Sequence, residues 1–284
     1  MNQEQGINNI FLLIETREPQ VFKSLSRMLY KYFTDSTFMI TSQGIYLQEG
    51  KEDMSVLVET YLRREQFEKF IIPKFEDSNA TIILGFSTKE MEKALEGITK
   101  TDNLRIYIRN DDTNNLHMHI TNPTKGKNSF KFIRLKKTKI CNIISLSYKD
   151  SEPTAVVHGP QYKKGMTEIN KVAAKIKIRI RAQENGAIIV PPDNVQISGF
   201  GEVWGNYIEG QPDIYDEQIS TTKLHAISEL ASITKLVKIY ACGDGKPLKI
   251  ALSAGQLGTI AIYLQSDQPV NGHNSVNNNN NMIQ

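Results

Sequence analysis

The chain has 284 residues, 39% of them hydrophobic and 23% charged, which is enough to bury a core in one large domain or two ordinary ones. No run approaches the roughly 18 apolar residues of a membrane helix, and "MNQEQGINNIFLLIE" has neither the basic start nor the cleavage site of a secretory leader. Two cysteines a domain apart, Cys141 and Cys242, argue for a reducing compartment. The net charge of +3, from 34 basic and 31 acidic residues, is too mild to name a nucleic-acid partner unless placement concentrates it.

In chain order, the first predicted helix begins near Pro19, a residue tolerated in a first turn. Val21, Leu25, Met28, Leu29 and Tyr32 form its apolar stripe. Lys23, Arg27 and Lys31 follow at i, i+4 and i+8, and so share the opposite face. Two strands flank a turn at Gln43-Gly44. A second helix occupies "STKEMEKALEGITK" (87–100), with Met91, Leu95 and Ile98 inward and Lys89 and Lys93 outward. Ser87 and Glu90 fit the capping box that opens a helix. His117 and His119 share one strand face, where they either hold a metal or are simply exposed. No third ligand lies nearby, so no metal is expected.

Residues 138–153 break the periodicity, include Pro153 and read as a connector. A third helix offers Lys163, Lys164, Lys171 and Lys175. "KIKIRIRA" (175–182) invites a nucleic-acid reading, but its period of two makes a strand with isoleucines inward. Lys177, Arg179 and Arg181 then form a solvated outer face. The turn at Asn185-Gly186 pairs residues that readily take the positive φ of a tight hairpin. "GFGEVWG" (199–205) loosely suggests a dinucleotide fingerprint, yet its spacing is wrong and no helix follows. The fourth helix places Leu224, Ile227, Leu230 and Ala231 inward and Lys223 outward. Residues 267–284 form an Asn-rich tail expected to be disordered.

The chain repeats itself. Ile98-Thr99-Lys100 recurs as Ile233-Thr234-Lys235, an offset of 135 (233 − 98), and the glycine turns recur at 142 (186 − 44). Both halves read helix, strands, helix, strands, giving an α+β chain of two similar domains, 1–137 and 154–266. Lysines on one helix are an ordinary solvated face. Lysines on four helices of two matched halves suggest contact with a phosphate backbone rather than with base sequence. No Ser-His-Asp or Cys-His arrangement stands out, so neither an enzyme nor a cofactor is expected.

"ITSQGIYLQEGKEDMSVLVETYLRREQFEKF" (40–70), "FSTKEMEKALEGITKTDNLRIYI" (86–108) and "DGKPLKIALSAGQLGTIAIYLQS" (244–266) together resemble the sliding DNA clamps of the proliferating cell nuclear antigen (PCNA) family, over about residues 7–266. The third helix and "IIVPPDNVQISG" (188–199) match less well. The resemblance implies the DNA clamp fold: two similar clamp domains per chain, sheets outside, helices lining a ring of three subunits closed head to tail on duplex DNA. It implies hole-facing Lys23, Arg27, Lys31, Lys89, Lys93, Lys164, Lys171, Lys175 and Lys223. It implies a partner-peptide groove of Met54, Ile143, Ile144, Leu146, Pro247, Tyr263 and Leu264, filled by an apolar anchor from a polymerase or another replication or repair protein. From sequence, "NIISL" could equally be a linker folded on its own domain. Ring closure would pair 129–137 with 199–207 of the next subunit, through Phe130, Phe132, Ile133, Leu135, Phe200, Val203 and Trp204. Trp204 and Phe132 could instead be core. A clamp loader is implied, with no membrane partner, in the nucleus or a site of DNA replication (a cytoplasmic replication compartment if viral). A monomeric processivity factor of the same fold and one subunit of a heterotrimeric clamp are the alternatives.

Overall fold

The computed structural model describes residues 9–73, 80–138, 144, 152–172, 176–191, 203–243 and 245–267. The first half runs β1 (Ile10–Thr16), α1 (Pro19–Tyr32), β2 (Asp35–Thr41), β3 (Gly44–Gly50), β4 (Val56–Arg63) and β5 (Lys69–Ile71). It continues through β6 (Ile82–Ser87), α2 (Thr88–Leu95), β7 (Asn103–Arg109), β8 (Asp112–Asn122) and β9 (Lys127–Arg134). The second half repeats this plan as β10 (Ala155–His158), α3 (Gly159–Val172), β11 (Lys177–Gln183), β12 (Gly186–Val190) and β13 (Val203–Gly205). It ends with β14 (Tyr215–Ser220), α4 (Thr221–Ile227), β15 (Leu236–Tyr240), β16 (Leu248–Ala254) and β17 (Gly258–Leu264). Most of the expected connector (139–143 and 145–151) and the tail (268–284) lie outside the described residues. No helix among the described residues is long and apolar enough to cross a membrane.

α1 follows from its sequence. Pro19 stands in the first turn, the stripe from Val21 to Tyr32 is buried, and Phe33 ends the helix in extended conformation while its N–H still reaches Leu29 O at 2.8 Å. The expected capping box on α2 does not form, since Ser87 is the N-cap but its side chain makes no cap hydrogen bond. Thr88 does the local work: its hydroxyl donates to Phe33 O at 2.5 Å, within 2.9 Å of Thr34 O as well, tying the start of α2 to the end of α1. The fourth predicted helix is shorter than its pattern. α4 stops at Ile227, and Leu230–Ser232 form a separate 3-10 turn that keeps Leu230 and Ala231 buried.

The hairpin glycines also act differently from expectation. Thr41 pairs with Gly44 and Gln183 with Gly186, so the loop residues are Ser42-Gln43 and Glu184-Asn185. Neither Asn185 nor Gly186 has positive φ. What both positions require is close approach of other backbone, β4 at Gly44 and the segment just after β13 at Gly186. A Cβ on Gly44 would stand 2.1 Å from Leu62 O, and one on Gly186 2.5 Å from Tyr207 N. Gly44 adds a φ of +146°, which L side chains rarely adopt.

The strands form three sheets, ordered β5-β1-β7-β8-β9, β10-β15-β16-β17-β4-β3-β2-β6 and β13-β12-β11-β14. The long sheet joins the halves through β17 and β4, paired from Gly258↔Leu62 to Leu264↔Val56. Ile260, Ile262, Leu264, Val56, Val58 and Leu62 are fully buried at this seam, each worth about 1.5–3 kcal/mol of burial. The halves also close alike at their ends. After β9 the Lys136 N–H donates to Gly85 O on β6 at 2.8 Å, and after β17 the Asp267 N–H donates to Gln218 O on β14 at 2.8 Å. One contiguous apolar core runs beneath the four helices: α1 packs on α2, α3 on α4, and α1 on α4 across the seam.

Candidate functional site

The helices carry the cations, and the structure sorts them by partner. On α1, the Lys23 ammonium donates to Ile98 O at 2.7 Å, and burial together with nearby Arg27 lowers its pKa. Arg27 lies 3.7 Å from Glu92, and Lys31 lies 2.9 Å from Glu229 across the seam. Lys89 and Lys93 on α2, and Lys164 and Lys171 on α3, are exposed, with no ion pair among the described residues. Lys175 lies outside the described residues. Lys223 departs from expectation: its side chain is only 12% exposed and its ammonium pairs with Asp267 at 2.6 Å, close to Gln265 O. It fastens the chain end after β17 and is not a free cation on the helix face. Glu229 and Asp267, far from these lysines in sequence, were not legible as their partners.

The outer face of the "KIKIRIRA" strand is fully engaged. Arg179 pairs with Asp216, Arg181 with Asp213 at 2.6 Å, and Lys177 donates to Asp267 O at 3.1 Å.

At the expected groove, the turn between β3 and β4 presents Met54, half exposed at a φ of 54°, with its sulfur against Gly50. Pro247 is half-buried just before β16. Tyr263 is buried, and its hydroxyl donates to Glu59 Oε2 at 3.1 Å; Tyr46 donates to Glu59 Oε1 at 2.9 Å. Burial and this shared carboxylate hold both phenols above their usual range. The Gln48 side chain clamps the connector at Ile144, donating to its carbonyl and accepting from its N–H, each at 2.7 Å. Sequence periodicity does not reveal this clamp, and "LQ" in β3 is its only local hint. Leu264 is fully buried between Leu248 and Val56, in the core and out of reach of a peptide. Ile143 and Leu146 lie outside the described residues.

Two strand edges remain to be described. On β9, Phe130 and Phe132 are 63% and 66% exposed, and on β13 Val203 is 45% exposed. Neither outer edge has a strand partner among the described residues. Three other residues assigned to this interface lie deeper. Ile133 is core and Leu135 packs against it, while Trp204 is 7% exposed with its ring 6.2 Å from Tyr162. Phe200 lies outside the described residues. His117 accepts or donates at Asp112 (2.9 Å) and stacks on Tyr107, and His119 stacks on Phe130. Among the described residues no group of three potential ligands could hold a metal.

Comparison with known proteins places this geometry. Residues 12–141 match the family model described as "Proliferating cell nuclear antigen, N-terminal domain". The fold resembles the PCNA of Entamoeba histolytica, with TM-score 0.73 and 15% identity over 91% of this chain and 100% of that one. It also resembles a PCNA2–PCNA3 complex from Sulfolobus tokodaii, with TM-score 0.71 and 14% identity over 90% of this chain and 99% of that one. No curated protein matches the sequence.

Proposed function

Starting from a chain with the clamp fold of the PCNA family, we propose that it is a DNA polymerase processivity factor: a homotrimeric ring that encircles duplex DNA and tethers replication and repair enzymes. The observation that carries this reading is the seam between the halves. β17 and β4 pair inside the chain, while among the described residues their counterparts β9 and β13 have open outer edges. A second copy meeting β9 with its β13 would repeat the seam between molecules, and head-to-tail repetition closes a ring. Inside it, Lys89, Lys93, Lys164 and Lys171, with Arg27 and Lys31, would face phosphates without reading bases. Such contacts are diffuse and salt-sensitive, so the duplex slides and retention comes from topology.

The groove beside Gln48 and Ile144 is proposed to receive a short peptide with an apolar anchor from a polymerase or another replication enzyme, and the chemistry belongs to those partners. Light scattering coupled to size exclusion tests the ring: the expected mass at micromolar concentration is about three times the 32.1 kDa chain. A strictly monomeric mass would overturn it and favour a monomeric factor of the same fold. In a trimeric preparation, reversing Lys89, Lys93, Lys164 and Lys171 to Glu should lower polymerase stimulation at least about tenfold without changing the mass. Unchanged stimulation would remove the helices from the DNA path.

A further inference from the structure

The two halves carry equivalent rows of side chains across their outer sheet faces, and the registers align them residue by residue. In the first half a row runs Glu15–Arg105–His119–Phe130 over β1, β7, β8 and β9. Its counterpart in the second half runs Val156–Lys238–Ala251–Ala261 over β10, β15, β16 and β17. The first row is filled, and its carboxylate and guanidinium are paired. His119 stacks on Phe130 with ring centroids 4.1 Å apart, and Arg105 meets Glu15 at 2.6 Å. The cavity beside it is about 230 Å³. In the second row two alanines replace the rings and Val156 replaces the acid, and a trough of about 520 Å³ opens there.

The trough is positively charged and partly apolar. Ala251, Ser253, Thr259 and Ala261 make its floor. Lys235 and Lys238 line one wall, exposed and in no ion pair among the described residues, with Leu236 40% exposed between them. At the other end the Lys249 ammonium lies over the rings of Tyr240 and Tyr263, at 5.1 and 5.8 Å. Among the described residues the lining has one acid, Glu59, which is engaged by Tyr46 and Tyr263. The sequence pattern alone hides this site, because Lys238 and Lys249 look like ordinary outer-face lysines of alternating strands.

We propose that this trough is a docking surface for an extended acidic peptide, one that places carboxylates on Lys235, Lys238 and Lys249 around an apolar side chain resting on Leu236 and the alanine floor. Charge complementarity favours that occupant, and so does continuity, since Tyr263 belongs both to the trough and to the proposed partner groove. The four strands that line it, β15 to β4, span about 14 Å at the usual spacing, the reach of about four extended residues. The surface deepens the proposed tethering role by stating the charge of the partner segment next to the groove, but it needs neither a ring nor DNA.

The test is fluorescence anisotropy with a labelled peptide, Glu-Asp-Leu-Glu-Phe-Asp, its Gln/Asn counterpart, and a duplex of about 20 base pairs, each titrated with the full chain. The acidic probe should bind at least about tenfold more tightly than the neutral one. K235A/K238A, changing two exposed side chains, should weaken it about five- to tenfold. Ala261→Phe, which restores the filled row of the first half, should weaken both peptides. Equal binding of the two peptides, no effect of K235A/K238A, or no binding of the acidic probe at about millimolar protein overturns the proposal. An equal loss of duplex binding in K235A/K238A would overturn it too, assigning the face to nucleic acid. Light scattering on the same samples measures ring formation independently, so a failed ring and a failed trough are distinguishable.

Discussion

At the seam between the halves, the chain completes itself. β4 and β17 saturate each other's edges, the Tyr32 hydroxyl of α1 donates to Lys223 O on α4, and Lys31 meets Glu229. At the two ends the same kinds of element are left incomplete. β9 and β13 show open edges with Phe130, Phe132 and Val203 exposed, and the lysines of α2 and α3 have no acidic partner among the described residues. Among the described residues the interior junction of the repeat is satisfied and the outer ones are not, which is what the proposed head-to-tail assembly requires. The contrast also separates the helix cations: Lys223 is tied down at the seam and Lys31 is paired there, while the exposed lysines of α2 and α3 have no ion pair among the described residues.

The strongest way to break this comparison is to ask whether the open ends meet in the register of the seam. Thr259 faces Tyr61 at the seam. In the proposed ring, the same hairpin positions of the other half would place Asn128 opposite Val203 of a neighbouring copy. In a background with Cys141 and Cys242 changed to serine, the pair N128C/V203C should oxidise to dimer and trimer bands on a non-reducing gel. Moving one cysteine to Ser129, which the pleat turns to the other face, should lower the yield sharply. Equal yields from both pairs would mean that the ends do not copy the seam.

Next in size is Asp102, which braces the end that carries β9. Its buried carboxylate accepts from Lys127 at 2.5 Å, from Asn122 at 2.8 Å and from the Thr99 N–H at 2.9 Å, pinning the β8–β9 turn to the end of α2. Burial alone would raise its pKa, but these donors outweigh burial and hold it well below the carboxylate range. A folded-state pKa below the unfolded one contributes stability that is present above about pH 4 and fades as pH falls below it. Asp102→Ala should cost about 2–4 kcal/mol at pH 7 by urea unfolding, and the difference from wild type should shrink on acidification toward pH 3. A constant difference across that range would show that Asp102 does not act as a charge.

How much of this was legible follows from which interactions are local. The stripe of α1, the alternation of "KIKIRIRA" and the duplicated plan are patterns within a few residues of one another, and the fold expresses them. The failures are nonlocal. Lys223 reads as a surface lysine because its partner, Asp267, lies beyond three further strands. Trp204, on an edge strand, and Leu264, on an interior one, read as contact residues because sequence cannot say which face of a strand is already covered. Gly186 sits at the expected turn, yet what requires glycine there is the backbone of Asn206 and Tyr207 just after β13, not a φ angle. Asn-Gly marks the turn correctly for a reason that belongs to tertiary packing.

Smaller effects sharpen the account of the seam itself. Tyr32→Phe removes the hydroxyl that α1 sends to α4, and should cost about 1 kcal/mol, mostly from leaving Lys223 O with one donor fewer. Tyr162→Phe, whose hydroxyl donates to Leu224 O at 3.1 Å within the second half, should cost a similar amount. If both do, differential scanning calorimetry should still show one transition for each variant, because the halves share β4–β17. Two resolved transitions in Tyr32→Phe alone would mean that the helical contact, not the strand pairing, couples the halves.

The smallest expected effect is at Lys31 and Glu229, whose side chains are 34% and 26% exposed. Partial burial raises the Glu229 carboxyl, but Lys31 first, with Arg27 and Lys163, outweighs it and holds the pKa below its usual value. An ion pair this accessible to water is normally worth about 0.2–1 kcal/mol and weakens with salt. A double-mutant cycle of Lys31→Gln and Glu229→Gln should therefore give a coupling of about 0.5 kcal/mol at low ionic strength, falling toward zero at about 0.5 M salt. A coupling above about 1.5 kcal/mol that ignored salt would require a dry contact. In that case Lys31, like Lys223, would leave the proposed set of DNA-facing cations, and Arg27 alone would represent α1 in it.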